Sequence, residues 1–192
     1  MTDTLSKLFG SSARVKLLRL FLFNPEQAFA VAEAAQRTRV NKKEATREVA
    51  LLRKLGVVAR AGRSAVPHYA LNKDFSYLLA LQSLLLNAPA RADEIYGRIR
   101  KAGAIKLVIV SGVFVGEWEG RVDLLVVGDK VDDVILRRCI KLLESEVGKE
   151  IRYTLLNTQD FYYRLNMNDH LVRDVLDFTH KIVLDRLDIG LE

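Results

Sequence analysis

QAFAVAEAAQRTRVNKKEATREVALLRKLGVVARAGRSAVPHYALN, residues 27–72, is the stretch that decides the fold. Its centre is a predicted helix over Asn41–Leu55, in which Asn41 can cap the first turn and Glu44 can return a bond to the Asn41 amide. Apolar residues at helical spacing predict the buried face of this helix, and basic side chains occupy the opposite face. The apolar stripe consists of Ala45, Val49, Leu52 and Leu55. Gly56 predicts the end of the helix.

The segments on both sides of the central helix predict a second helix and a β-hairpin. A shorter helix is predicted over Val31–Thr38, and the turn Thr38-Arg39-Val40 joins it to the central helix. Two short β-prone runs follow, Val57–Ala61 and His68–Leu71, and residues 62–67 connect them as a hairpin. This order of helix, turn, helix and basic hairpin resembles the winged helix-turn-helix regulators. It departs from them at the turn, where that family usually has Leu-Gly-hydrophobic.

The resemblance implies binding to double-stranded DNA, with bases contacted by the start of the central helix and phosphates by the hairpin. The candidate DNA-binding residues are Asn41, Lys42, Lys43, Thr46, Arg47, Arg60 and Arg63. Arg47 is the best candidate for reading a base. An amphipathic helix with a basic solvent face also occurs in proteins that bind no nucleic acid, so a protein-interaction module is an alternative.

The charge distribution favours DNA over that alternative. Residues 1–88 contain 14 Lys and Arg against 6 Asp and Glu, a net charge of +8, whereas residues 89–192 contain 16 against 18, a net charge of −2. The basic excess therefore lies in the same part of the chain as the helix-turn-helix pattern, where a polyanion would bind.

The segment after the hairpin sets the expected domain limits. Residues 73–87 predict a helix more apolar than one buried face requires, so either a symmetry mate in a homodimer or the C-terminal domain is expected to cover its second side. Ala88-Pro89-Ala90 ends this pattern. The expected division is a winged helix-turn-helix domain over residues 1–72, a connecting or dimerisation helix with its linker over 73–90, and a second domain over 91–192.

The second domain is predicted to be a small α/β domain, which makes the whole chain α+β. Its predicted elements are helix 91–101, strand 105–110, strand 122–127, helix 132–147, strand 151–156, two helices over 158–177 and strand 181–184. Residues 105–128, IKLVIVSGVFVGEWEGRVDLLVVG, are similar to the core of the minimal nucleotidyltransferase family. In that family a strand ends in Gly-Ser, a glycine follows, and the next strand carries two Mg²⁺-binding carboxylates flanking one hydrophobic residue.

This chain departs from the nucleotidyltransferase pattern at the residues that bind metal. It has Ser111-Gly112 in place of Gly-Ser, keeps Gly116, and has Arg121-Val122-Asp123 in place of the carboxylate pair. Arg121 is expected at the first ligand position, where its charge opposes a divalent cation and where it could in principle form a salt bridge with Asp123. The resemblance therefore implies a pseudoenzyme with a vestigial nucleotide site formed by Ser111, Gly112, Gly116, Arg121 and Asp123. No catalytic residue, metal ligand or cofactor is assigned.

The leading hypothesis is a cytoplasmic, homodimeric transcriptional regulator that binds DNA. Its nucleotidyltransferase-like domain would act as a ligand sensor, a scaffold or a partner-binding surface, for a nucleotide or a protein ligand. The alternative is an active, metal-dependent nucleotidyltransferase, such as the modifying component of a toxin-antitoxin pair, that binds its metal through Asp123 with Asp129 or other nearby acids.

Composition is consistent with a folded protein outside the membrane. The chain has 192 residues, 49% of them hydrophobic and 28% charged, which is ordinary for a globular protein. Residues 1–10 lack an apolar signal core and are expected to be loose, before a helix that ends near Phe23. No run approaches membrane-spanning length without charge. The single cysteine, Cys139, excludes an internal disulfide.

Overall fold

The structure is a computed structural model that describes residues 4–86, 92–117 and 121–190. The chain divides into two compact units, residues 1–88 with 144–150 and residues 89–143 with 151–192. Half of the described residues are helical and 19% are strand, in two sheets, so the predicted mixed α+β class is confirmed.

Five helices of the first unit lie within the described residues. They are α1 (Thr4–Leu8), α2 (Ser12–Leu22), α3 (Val31–Thr38), α4 (Lys42–Lys54) and α5 (Leu78–Leu86). The expectation of a loose N-terminus is wrong for residues 4–8, because α1 packs against α2 and buries Leu5. Ser11 caps α2 by accepting a hydrogen bond from the Arg14 amide at 3.1 Å.

Three short strands form the antiparallel sheet of this unit. They are β1 (Ala28–Ala30), β2 (Val58–Ala61) and β3 (His68–Leu71), in the order β1-β3-β2. The hairpin of β2 and β3 matches the prediction, whereas β1 was not expected. A three-residue strand carries too little alternation to be recognised in a sequence, and β1 is fixed by pairing with β3. Phe29 of β1 packs edge-to-face on Phe21, with ring centroids 5.8 Å apart.

The central helix α4 packs against α2, α3 and β2. Ala45, Val49 and Leu52 are buried as the apolar stripe predicts, but Leu55 is 56% exposed. Leu55 is the C-terminal cap of the helix rather than part of its last turn, so the stripe ends one turn earlier than expected. Asn41 caps the other end, where its side chain accepts from the Lys43 amide at 2.9 Å.

Helix α5 is shorter than predicted and begins at Leu78. The residues before it form successive turns, closed by hydrogen bonds from Phe75 to the Asn72 carbonyl and from Leu78 to the Phe75 carbonyl. Leu85 is buried, whereas Leu79 is 80% and Leu84 is 43% exposed. The predicted helix end at Asn87 and the linker 88–90 lie outside the described residues.

The second unit contains a four-stranded mixed sheet. Its described helices are α6 (Ala92–Ile99), α7 (Asp133–Val147), α8 (Thr158–Asn166) and α9 (His170–Leu176), of which α7 runs on into residues assigned to the first unit. Its strands are β4 (Ala104–Val110), β5 (Leu124–Asp129), β6 (Tyr153–Leu156) and β7 (Lys181–Asp185), in the order β6-β5-β4-β7.

Strand β4 is antiparallel to both β5 and β7, whereas β5 and β6 are parallel. Alternate residues of β4 and β5 pack against α8 and α9 in one hydrophobic cluster that includes Leu107, Leu125, Phe161 and Val172. Within the described residues, no helix combines the length and the apolar character needed to cross a membrane.

Candidate functional site

The first two turns of α4 present a polar, basic surface. Lys42, Lys43, Thr46 and Arg47 are exposed on it, together with the capping residue Asn41. The Thr46 hydroxyl donates to the Lys42 carbonyl at 2.8 Å, which fixes its rotamer along the helix. The long cationic side chains therefore extend from a helix whose opposite face is packed in the core.

The hairpin supplies the other two predicted cations. Arg60 lies on β2 opposite Tyr69, and its Nη2 donates to the Ser64 carbonyl at 3.2 Å. Arg63 is exposed in the connection between the strands. Gly62 has a φ of +67° at the start of this connection, a conformation that a side chain would strain. The hairpin is thus an exposed basic loop held at its base by strand pairing.

The turn between α3 and α4 closes without the glycine that the resembled family has there. Arg39 takes the left-handed conformation, with φ 52° and ψ 39°. Two hydrogen bonds hold the turn. The buried Thr38 hydroxyl donates to the Ala34 carbonyl at 2.6 Å, and the Val40 amide donates to the Ala35 carbonyl at 3.0 Å. The exposed Arg39 side chain makes no hydrogen bond or ion pair with any described residue, and the sequence interpretation missed it as a cation beside α4.

The buried face of α4 carries an acid that the sequence interpretation also missed. The Glu48 side chain is only 1% exposed, and its Oε2 accepts from Nε of Arg14 on α2 at 2.8 Å. The helical period was the available signal, since Glu48 lies three residues after Ala45 and four before Leu52, on the apolar stripe. An ionised group on such a stripe requires a cationic or hydrogen-bonding partner.

In the second unit, Asp123 is fully buried and bound by Arg152. Its two oxygens accept four hydrogen bonds, from the Val113 amide at 3.0 Å, the Arg152 amide at 2.8 Å, and Nε and Nη2 of Arg152 at 2.9 Å each. The bonds to Asp123 raise the pKa of the Arg152 guanidinium above its usual value. A carboxylate has about four acceptor positions, so those of Asp123 are filled.

The salt bridge that the sequence allows between Arg121 and Asp123 does not form. The Arg121 side chain is 81% exposed, and its Nε lies 3.5 Å from Asp174 Oδ2. Arg121 and Asp123 both precede β5, which begins at Leu124, so strand alternation does not direct one toward the other. Arg152 takes that place because its segment leads into β6, the parallel neighbour of β5. Asp123 is neutralised by a cation 29 residues away in sequence.

The Ser111-Gly112 turn is packed onto the same aspartate. The Ser111 hydroxyl donates to the Val122 carbonyl at 2.5 Å, and the Ser111 amide donates to the Asp123 carbonyl at 2.9 Å. Gly112 has a φ of +54°, and a Cβ there would lie 2.1 Å from Asp123 Oδ1. The Ser111 hydroxyl and the Val113 amide of this turn thus bind within the chain. Gly116, with a φ of +86°, follows in the same loop.

Asp129, the second acid of the alternative enzyme hypothesis, ends β5. It accepts from Lys106 Nζ at 2.7 Å and from the hydroxyl and amide of Thr158 at 2.9 and 3.1 Å. The bond from Lys106, followed by those from Thr158, lowers the pKa of Asp129 to about 2. Six residues of extended chain place Asp129 roughly 20 Å from Asp123. The two acids therefore lie too far apart to share one metal ion, and the described residues contain no group of three or more potential His, Cys, Asp or Glu ligands.

Comparison of the chain with protein-family models, with curated proteins and with solved structures found no match. The contacts and charges of the chain itself are thus the basis for assigning a function.

Substituting alanine for each of two glycines in this loop tests the packing against Asp123. Both have positive φ, so both variants should lose about 1 kcal/mol to backbone strain. Only the Gly112→Ala methyl would displace the Asp123 carboxylate from Arg152, and we expect a total loss of roughly 3 kcal/mol or more. Gly116→Ala is the matched control, because no described atom lies within 4 Å of its added methyl. Urea unfolding measures both losses, and equal losses would contradict the close approach.

Proposed function

We propose that this chain is a cytoplasmic DNA-binding transcriptional regulator, in which residues 27–72 form a winged helix-turn-helix and α4 is the recognition helix. One observation carries the proposal: the first two turns of α4 expose Lys42, Lys43 and Arg47 while Ala45, Val49 and Leu52 fix the opposite face in the core. A helix with these two faces can enter the major groove as a rigid body. The net charge of +8 over residues 1–88 supports the same partner.

The proposed contacts divide into base and phosphate contacts. Arg47 extends from the second turn of α4 with 75% of its side chain exposed, and its planar guanidinium can bind a guanine through two parallel hydrogen bonds. Arg60 and Arg63 in the hairpin, and Arg39 in the turn, bind phosphates in this arrangement. Phosphate contacts position the protein and supply affinity that depends on salt, whereas base contacts supply sequence preference.

Two arginine variants test this division. A preferred duplex is first selected from a random library with the native chain, and binding is then measured over a range of salt concentrations. Arg47→Ala should lose roughly 1–3 kcal/mol of discrimination at one base pair. Arg63→Ala should weaken binding to all sequences alike and reduce the salt slope by about 1.

Arg53→Ala is the matched control for these variants, because Arg53 is exposed on the last turn of the same helix and should leave preference unchanged. If the Arg47 and Arg63 variants lose affinity equally and neither changes preference, the division is wrong. Failure of the native chain to bind any duplex would remove the proposed function.

For the second unit we propose a nucleotidyltransferase-like fold without transfer activity, serving as a scaffold or partner-binding surface. The absence of transfer activity is proposed because the Asp123 oxygens already accept hydrogen bonds from Arg152 and the Val113 amide. Metal-assisted transfer needs carboxylate oxygens free to hold Mg²⁺ beside the reacting phosphate. Freeing Asp123 would leave the Arg152 charge beside the ion, which opposes binding.

Incubation with labelled ATP, CTP, GTP or UTP, Mg²⁺ and candidate acceptors should therefore yield no labelled product. Any nucleotide binding should be weak and should not depend on Mg²⁺. An active nucleotidyltransferase, assayed in parallel, is the positive control for detection of labelled product. Metal-dependent labelling that Asp123→Asn abolishes, in a variant shown to be folded by its thermal unfolding, would favour the active enzyme instead.

We also propose that the regulator is a homodimer that pairs through the exposed side of α5. That side carries Leu79 and Leu84 with the neighbouring Tyr77, and residues 78–86, LLALQSLLL, contain no charged side chain. A second copy can cover such a face without charge repulsion, and each Å² of apolar surface removed from water contributes about 25 cal/mol. Two recognition helices would then bind an inverted repeat.

Leu84→Glu should convert the dimer to a monomer, because a carboxylate in a paired apolar face has no partner. Leu8→Glu is the control: Leu8 is an exposed leucine of α1, and its variant should remain dimeric. Leu85→Glu is unsuitable as a test, since Leu85 is 1% exposed within its own chain. Sedimentation at micromolar concentration measures both variants, and a monomeric native chain would rule out the dimer.

A further inference from the structure

Glu48 is a buried acid next in sequence to the proposed base-reading arginine. Its side chain is 1% exposed, while that of Arg47 is 75% exposed. A carboxylate this far from water is stable as an ion only with cationic or hydrogen-bonding partners. Among the described residues, the guanidinium groups that approach it are those of Arg14 and Arg47.

Arg14 and Arg47 contact Glu48 unequally. Arg14 donates from Nε to Oε2 at 2.8 Å, its Nη2 lies 3.5 Å from Oε1, and its Nη1 donates to the Phe9 carbonyl at 2.7 Å. Arg47 approaches only with Nη2, at 3.5 Å from Oε1. The strong, fixed partner is thus Arg14, and Arg47 stays mostly in solvent.

We propose that Arg14 is a positioning residue for DNA recognition: by neutralising Glu48 it leaves the Arg47 guanidinium free to bind a base. This inference rests on the proposed function. Without the Arg14 charge, the buried carboxylate would be left beside a flexible arginine already 3.5 Å away. Arg47 would then pair with Glu48, and each pairing would compete with a contact to guanine.

The test variant is Arg14→Gln, whose amide can still donate a hydrogen bond to Glu48 but carries no charge. Its affinity for the selected duplex should fall about tenfold, comparable to the effect of Arg47→Ala in the native chain. Adding Arg47→Ala to Arg14→Gln should then cost less than about twofold, because Arg47 is already occupied. Arg14→Lys keeps the charge and should retain the native base preference.

Rescue separates this role from a general loss of charge or of structure. Arg14→Gln with Glu48→Gln should recover the native preference, together with its dependence on Arg47. Arg14→Gln with Glu44→Gln has the same net charge but keeps the Glu48 carboxylate, and it should remain weak. A residue that only stabilised the fold would show neither the selective rescue nor the loss of Arg47 dependence.

The outcomes distinguish the two proposals. If the native chain binds no duplex, the proposed function fails. If it binds and folded Arg14→Gln keeps the native preference, or the Glu48→Gln rescue fails, only the role of Arg14 is overturned. Should Arg14→Gln not fold, the Arg14→Gln/Glu48→Gln chain provides the measurement, because two amides can hydrogen-bond each other. Arg47→Ala must reduce discrimination about tenfold in that background, and no reduction would overturn the inference.

Discussion

The arrangement of the first unit depends on one ion pair, between the partly exposed Arg14 of α2 and the buried Glu48 of α4. The pair joins residues 34 positions apart and also reaches the Phe9 carbonyl after α1. Removing Arg14 costs far more than the pair contributes, because the Glu48 carboxylate is 1% exposed and would be left without water or a cation. The N-terminal helices and the proposed recognition helix are therefore linked by the same contact.

In the second unit, Asp123 and Arg152 form a similar ion pair. In both units a buried carboxylate on an apolar segment is neutralised by an arginine distant in sequence. The consequences differ. On α4 the pair leaves an exposed arginine available beside it, whereas around Asp123 it occupies the oxygens that a metal ion would need. The first ion pair thus supports the proposed DNA contact, and the second opposes the alternative nucleotidyl transfer.

Helical and strand periods account for the elements that the sequence predicted well. Helices α3 and α4, the hairpin of β2 and β3, and the buried strands β4 and β5 each carry enough residues for a repeating pattern. Strand β1 was missed because three residues contain little pattern, and α1 because its burial depends on α2. The start of α5 was placed too early, since the apolar residues before it form turns.

The sequence by itself determined the mixed α+β class, the position of the basic excess and the polar face of α4, because composition and period are local properties. Only the tertiary structure decided which charges meet. Arg121 lies two residues from Asp123 yet contacts Asp174, while Arg152 reaches Asp123 across the parallel strands. The packing of distant segments determines which cation lies next to a buried charge. Because an unpaired buried charge carries a large desolvation penalty, that cation must be present. Local spacing carries no information about it.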